Sequence, residues 1–310
     1  MALTALTLAA QDPSFRARSR LVLVPTTVTD ERGAFVRGLD AGDFALYDNG
    51  HPRPIASVDS FDSALAPISL VVAVQTSGIS APALVRVRKI GSLIQPLVTG
   101  ERGGAAVLAF DQQIAWLQDF TRDPAAIAQA FAGLRTGAPQ AARMHDAVAE
   151  ACARLETRPN SRRVVLLISE SKDRGSETAL EAALAKAQKA GVVVYSAAYS
   201  SYASAFASKP SDITPVPGGL NLGAALGELF RLGKVNTVNA LATGTGGAHL
   251  RFVTQRALES AVERLGEELH GQYVISFVPP ADTNGAYRPL EVRVTNGRKL
   301  SVRARPGYFE

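Results

Sequence analysis

The sequence predicts an α/β fold, a doubly wound and mostly parallel Rossmann-like sheet with helices on both faces, joined to a small β module made from the two ends of the chain. Three observations predict it. The stretch Ile68 to Ser80, ISLVVAVQTSGIS, is an apolar, β-branched run that ends abruptly in Gln, Thr, Ser and Gly. A strand buried on both faces has this character where it meets a loop and then a helix. From Pro67 onward such apolar runs alternate with segments of helical period, which implies a parallel sheet covered on both sides. Before Phe61 and after Tyr273 the pattern is strand and turn.

With 310 residues, 46% of them hydrophobic, the chain can bury a sizeable core. The pattern divides it into a tail or signal remnant (1–14), an N-terminal β module (15–66), an α/β domain (67–272, with an insertion at about 199–231) and C-terminal strands (273–310) that pack with the N-terminal module. The net charge is +5, but the 33 basic residues are scattered and only 6% of residues are aromatic. Nucleic-acid binding usually shows a clustered basic stripe with stacking aromatics, so the charge reads as solubility, with loose affinity for acidic surfaces. A single cysteine, Cys152, excludes an internal disulfide and a multi-cysteine metal site, and its Ala-rich helical setting suggests a buried, inert thiol. The start, MALTALTLAAQDPS, resembles the latter part of a secretory signal without its basic beginning, so the expectation is an exported protein. No stretch is long and apolar enough to span a membrane.

In chain order, Leu21 to Val24 and Thr26 to Thr29 are β-rich around Pro25, and Asp30 to Gly33 supplies a turn. Leu39, Asp40 and Asp43 suggest a tight turn into Phe44 to Tyr47, and Asp48-Asn49-Gly50 signals a hairpin into a Pro-punctuated edge strand through Ile55. The buried strand Ile68 to Val74 leads to a helix over Pro82 to Leu97, whose inner face is Ile90, Leu93, Ile94 and Leu97. Short strands Ala105 to Phe110 and Ile114 to Leu117, helices Pro124 to Leu134 and Met144 to Leu155, and the strand Val164 to Ile168 follow. The end of that last strand, Ser169 to Ser171, is expected beside the end of the first. A helix from about Thr178, stopped by Gly191, precedes the strand Val192 to Ala197. The Ser-, Ala-, Pro- and Gly-rich stretch from Tyr199 to Arg231 has the length of a functional or mobile loop, with a short helix near Leu222 to Leu232. A helix near Val238 to Leu241, a Gly-rich turn, the strand His249 to Val253 and an amphipathic helix from Thr254 to His270 complete the domain. In the tail, Leu290, Val292 and Val294 alternate with polar residues, as do Leu300, Val302 and Ala304. A three-residue loop with Gly297 left-handed would join them as a bulged hairpin, pairing Val292 with Leu300 on one apolar face.

The chain resembles the von Willebrand factor type A domain, and more closely a bacterial, acidobacterial-type subfamily with flanking β segments. The resemblance is carried by GDFALYDNG at Gly42 to Gly50, PISLVVAVQTSG at Pro67 to Gly78, LQDFTRD at Leu117 to Asp123, RRVVLLISE at Arg162 to Glu170, ATGTGG at Ala242 to Gly247, GQYVISFVPP at Gly271 to Pro280 and VRARPGYF at Val302 to Phe309. It runs over nearly the whole chain in order. Type A domains hold a divalent cation, usually magnesium, at a metal-ion-dependent adhesion site built from Asp-x-Ser-x-Ser, a later Thr and a later Asp, because a hard cation wants oxygen ligands in octahedral array. Here those positions fall on Gln75, Ser77, Ile79, Ala142 and Glu170, so one of the five is kept. A lone carboxylate with few neutral oxygens does not readily strip water from magnesium, and the resemblance implies a degenerate, metal-free site. The alternative is a site rebuilt from Ser77, Ser80 and Glu170, with Asp146 and Asp173 placed to assist, although Asp146 better suits a role in orienting its own helix.

No catalytic constellation emerges. Gly244, Gly246 and Gly247 follow a helix and precede a strand, the reverse of the dinucleotide fingerprint, and suit a helix-ending turn. Walker A, GxSxG and HExxH sequences are absent, and His51, His145, His249 and His270 are dispersed. The leading expectation is therefore a non-enzymatic protein-interaction module without cofactor, binding a protein and not nucleic acid. Gln75, Thr76, Ser77, Ser80, Arg143, Glu170 and Ser171 are its candidate contact residues, because ligands of open α/β sheets bind beyond the carboxyl ends of the strands. An enzyme on the same scaffold and a structural part of an envelope assembly, joined through exposed strand edges, are the competing readings.

Overall fold

The computed structural model describes residues 21–60, 66–199, 225–280 and 286–309. The N-terminal strands are β1 (Val22–Thr29), β2 (Phe44–Asp48), β3 (His51–Arg53) and β4 (Ser57–Asp59). A capping box in which the N–H of Gly42 donates to Asp40 and that of Asp40 to Asp43 sets the turn that feeds β2.

The central sheet contains β5 (Ile68–Gln75), β6 (Gly104–Phe110), β7 (Ile114–Thr121), β8 (Arg162–Ser169), β9 (Val192–Ala198) and β10 (His249–Arg251). Their order is β10-β9-β8-β5-β6-β7, parallel except for β7, which runs antiparallel to β6 at the edge. The helices are α1 (Ala81–Val87), α2 (Gly91–Ile94), α3 (Pro124–Ala132), α4 (Met144–Glu156), α5 (Leu180–Lys189), α6 (Ala225–Val235), α7 (Thr237–Thr245) and α8 (Gln255–Gly271). Every residue of β5 is buried, and alternate side chains serve two cores. Leu70, Val72 and Val74 meet apolar residues of α1, α2, α3 and α8, while Val71 and Ala73 meet those of α4, α5 and α7. Strand order turns back between β5 and β8, so the ends of these two strands frame the crevice where such sheets bind ligands.

The tail strands are β11 (Tyr273–Phe277), β12 (Tyr287–Val294), β13 (Ser301–Ala304) and β14 (Gly307–Phe309). They join the N-terminal strands in two four-stranded sheets, β13-β1-β11-β4 and β14-β12-β2-β3, whose inner faces share one core around Val24, Phe44, Leu46, Tyr273, Phe277 and Tyr308. β1 runs through Pro25 unbroken: β11 pairs with Val22 to Thr26 and β13 begins only at Thr26, so the proline interrupts no two-sided ladder.

Three expectations need correction. The helix over Pro82 to Leu97 is three pieces: α1, α2 and a π-helical turn at Gln95–Thr99. Ile90 and Ile94 are buried as the spacing predicts, but Gly91 lies so close to Phe131 that a Cβ there would come within 2.8 Å of the ring's own Cβ, and Pro96 cannot continue an α-helical ladder. The bulged hairpin does not form either. Gly297 is left-handed, with φ of 76°, yet β12 pairs with β2 and β14 while β13 pairs with β1. The apolar faces of β12 and β13 meet across the sandwich instead of side by side, which satisfies the same alternation. β7 also runs on to Thr121, four residues past the expected end. The tail at 1–14 and most of the insertion, 200–224, lie outside the described residues.

Candidate functional site

At the carboxyl end of β5, Gln75 is completely buried. Its Nε2 donates to Ser77 Oγ at 2.6 Å and its Oε1 accepts the backbone N–H of Glu170 at 3.0 Å. The backbone donor fixes the amide: turned over, the side chain would set N–H against N–H. Ser77 and Ser80 share a hydrogen bond at 3.3 Å, and Tyr199, the residue after β9, donates its hydroxyl to Ser80 Oγ at 2.5 Å. Burial pushes the Tyr199 hydroxyl well above its ordinary pKa, so it stays a donor. Its ring meets Phe252 edge-on at 5.8 Å. A neutral chain of hydrogen bonds thus joins the ends of β5, β8 and β9.

Loops stitch this floor in place. Gly137 N–H donates to Thr76 O at 2.7 Å, Gly78 N–H to Ala138 O at 2.8 Å and Ala138 N–H to Asp111 at 2.8 Å. Ala142 is buried and bridges to Arg174, and Ile79 is part-buried. Glu170 is 6% exposed and has Arg174 at 3.5 Å. Asp173 accepts the N–H groups of Met144 and His145 at 2.8 and 3.1 Å, so it caps α4 from outside. Asp146 serves the loop before α5 and not its own helix. Burial pushes its carboxyl up, but donation from Thr178, Arg143 and Glu177 outweighs this and holds it well below the usual carboxylate range. Arg143 and Ser171 stand part-exposed at the rim, whereas Gln75, Thr76, Ser77 and Ser80 lie beneath it.

These residues do not fit magnesium. Ile79 and Ala142 bring no oxygen, the Gln75 carbonyl is committed to a backbone N–H, and its amide hydrogens face the serine that a cation would need. Among the described residues no three His, Cys, Asp or Glu side chains gather where they could hold a metal ion.

The sequence reading missed two members of the polar interior. Tyr199 stood there as the first residue of the insertion, and only its place at the end of β9 marks it as a site residue. His249 was one of four dispersed histidines, but its Nδ1 lies 2.7 Å from Ser196 Oγ and its Nε2 3.3 Å from Asn236 Nδ2. Asn236 Oδ1 caps α7 by accepting from Asn239, so the asparagine offers its N–H to Nε2 and leaves the ring proton on Nδ1, facing the serine. Burial, with help from Arg251, lowers the His249 pKa to about 4. The Gly-rich segment is a helix end, as expected, with Gly246 at φ of 86° closing α7. Cys152 is buried, and burial pushes its thiol up to about 12.

No protein-family model and no curated protein matches the chain. Among solved structures it is similar to a von Willebrand factor type A protein from Catenulispora acidiphila, at 11% identity over 95% of this chain and 75% of that one, with a TM-score of 0.48. It is also similar to BatB from Bacteroides thetaiotaomicron, at 15% identity over 64% of this chain and 99% of the other, with a TM-score of 0.45. The domain of the type V pilus tip protein Mfa5 from Porphyromonas gingivalis matches at 11% identity over 71% and 98%, with a TM-score of 0.46.

Proposed function

We propose that the chain is a non-enzymatic, exported protein-interaction module of the type A kind whose top face works without a divalent cation. The observation that carries this is the Gln75 amide, which ties Ser77 to the end of β8 by hydrogen bonds where the resemblance calls for an acid and a metal. The rebuilt alternative from Ser77, Ser80 and Glu170 requires Gln75 to swing out of a fully buried place and leave the Glu170 N–H without its acceptor. A partner protein then meets the rim, where Arg143 and Ser171 are part-exposed over the buried floor. The interior hydroxyl–imidazole pair supports a non-catalytic reading: Ser196 is fully buried, and the ring nitrogen facing it already carries the proton.

Titration of magnesium and manganese, followed by calorimetry and thermal unfolding, tests the metal-free half. No rise in Tm is expected, because binding to a folded site must raise it by mass action. A rise that Glu170→Ala abolishes would overturn the proposal in favour of the rebuilt site. The interaction half is checked by capture of partners from the native organism. Joint alteration of Ser77, Arg143 and Glu170 is expected to lose a partner that the unaltered chain retains, and unchanged capture moves the contact to another face.

A further inference from the structure

The stretch Val302 to Phe309, VRARPGYF, closes the sandwich, and its second arginine breaks the usual rule for a buried charge. Arg305, between β13 and β14, is 5% exposed, and among the described residues its side chain makes no hydrogen bond or ion pair. Its neighbours in the sandwich are paired: Arg288 forks onto Asp48 with two bonds of 2.9 Å, and Arg303 meets Glu268. Arg305 has only the ring of Tyr308, whose centre lies 5.8 Å from its guanidinium carbon. Burial lowers its pKa to about 10, which leaves it charged at neutral pH. A second unpartnered group stands beside it. The Tyr287 hydroxyl is buried without a hydrogen bond, and burial pushes it above its ordinary pKa while the charge of Arg305 pulls it down. Gly307 brings the two together: a Cβ there would come within 2.4 Å of Tyr287 Cζ, so the phenol lies on the turn that carries Arg305. The outer edge of β14 is already occupied, because Gln188 of α5 donates to Gly307 O at 3.1 Å and accepts the Phe309 N–H at 3.0 Å. The free donors are therefore side chains, and an added strand does not fit here.

A lone buried guanidinium and a lone buried hydroxyl each cost free energy in the folded chain, and one ligand that accepts from both relieves them together. The donor set selects its chemistry. A guanidinium offers parallel N–H groups to two oxygens and the phenol adds one O–H, which matches the lone pairs and the single negative charge of a carboxylate. A phosphate group would bring nearly two charges against one cation, and a cationic ligand would be repelled. Tyr287 and Pro306 are part-exposed, so the pair lies just beneath the surface. We propose that Arg305 and Tyr287 form a receptor for a single carboxylate group, carried by a small organic acid or by the C-terminus of a peptide.

The test is thermal unfolding and isothermal titration with acetate, ionic strength being held constant with chloride. Acetate is expected to bind saturably and raise Tm. Tyr287→Phe keeps the ring over Gly307 and removes only the unpartnered hydroxyl, so it should match the unaltered chain in chloride and bind acetate about tenfold more weakly. Arg305→Met should lose acetate binding altogether and unfold no lower than the unaltered chain in chloride, because an apolar chain of similar length replaces an unpaired buried charge. Arg293→Met, which removes an exposed arginine paired with Glu291, leaves acetate binding unchanged. The proposal is overturned if acetate adds nothing beyond chloride, or if Tyr287→Phe and Arg305→Met bind it as the unaltered chain does. A fall in Tm for Arg305→Met in chloride also overturns it, since the guanidinium then has a partner in the free chain. N-acetylated trialanine, with its C-terminus free or amidated, separates the sources. Binding tighter than acetate that amidation abolishes supports a peptide C-terminus, and binding no tighter than acetate supports a small organic acid.

Discussion

The two ends of the central sheet treat their buried polar groups in opposite ways. At the carboxyl end Gln75, Ser77, Ser80 and Tyr199 form a neutral chain in which each member is a hydroxyl or an amide. At the amino end, where the sandwich docks, Arg303 pairs with Glu268, and the Thr27 hydroxyl donates to the same carboxylate at 3.3 Å. Gln272 donates to Tyr195 at 3.0 Å and accepts from Arg162 at 2.9 Å, while Arg303 reaches the end of α7 through Gly246 O at 3.1 Å. A buried charge persists where its partner and its hydrogen bonds arrive from separate layers and fix one another. Where positions that would supply such partners hold Ile79 and Ala142, the floor from Gln75 to Tyr199 is made of neutral groups, and the carboxylate beside it, Glu170, turns to Arg174 in the following loop.

The ionic end should be the more fragile. Glu268→Ala leaves Arg303 without its acid and Thr27 without an acceptor, and the expected cost is about 3 kcal/mol in chemical unfolding. That is the lower end for a buried pair, because the Arg303 side chain keeps 29% exposure and some of its water. Glu268→Gln retains an acceptor and should fall between. An unchanged midpoint for the alanine variant would mean that apolar contacts alone hold the sandwich to the sheet.

At the neutral end Gln75→Ala should cost about 2 kcal/mol, because the Glu170 N–H loses its acceptor and the Ser77 hydroxyl keeps only Ser80. Gln75→Asp sharpens the comparison. Its carboxylate faces Glu170 across the β5–β8 crevice, so it should lower the Tm in metal-free buffer and return part of the loss when magnesium is added. If magnesium leaves the aspartate variant unmoved, the amide is not what keeps the cation out, and Ile79 and Ala142 are sufficient.

Much of this contrast was legible before the fold was seen. A parallel strand buried on both faces is a continuous apolar run, and right-handed crossovers bring the ends of such runs together, so Gln75 beside Glu170 followed from the sequence. The Tyr199–Ser80 contact did not follow, because it joins residues 119 apart through side chains that carry no local signal. The C-terminal strands failed differently: Leu290, Val292, Val294 and Leu300, Val302, Ala304 have the alternation of a hairpin, but two facing sheets bury the same side chains. Pairing partner is a tertiary choice that period-two patterning leaves open. In the first helix the apolar face of Ile90 and Ile94 was real, and Gly91 and Pro96 were the visible reasons to doubt continuity.

His249 extends the neutral end to the edge of the sheet and gives the smallest predicted effect. Its pKa is about 4 in the folded chain and near 6.5 once unfolded, so the unfolded state takes up a proton first as pH falls. Stability is therefore fully present above about pH 6.5 and declines between there and pH 4, after which this residue contributes no further change. The complete linkage would be about 3 kcal/mol, and partial exposure of the ring reduces it to about 1.5. Unfolding free energies at pH 7 and pH 4.5 for the unaltered chain and His249→Asn measure it. The unaltered chain should lose more on acidification than the variant. Equal losses would show that the Ser196–His249–Asn236 cluster admits a proton without opening, and that the neutral end tolerates charge as well as the ionic end does.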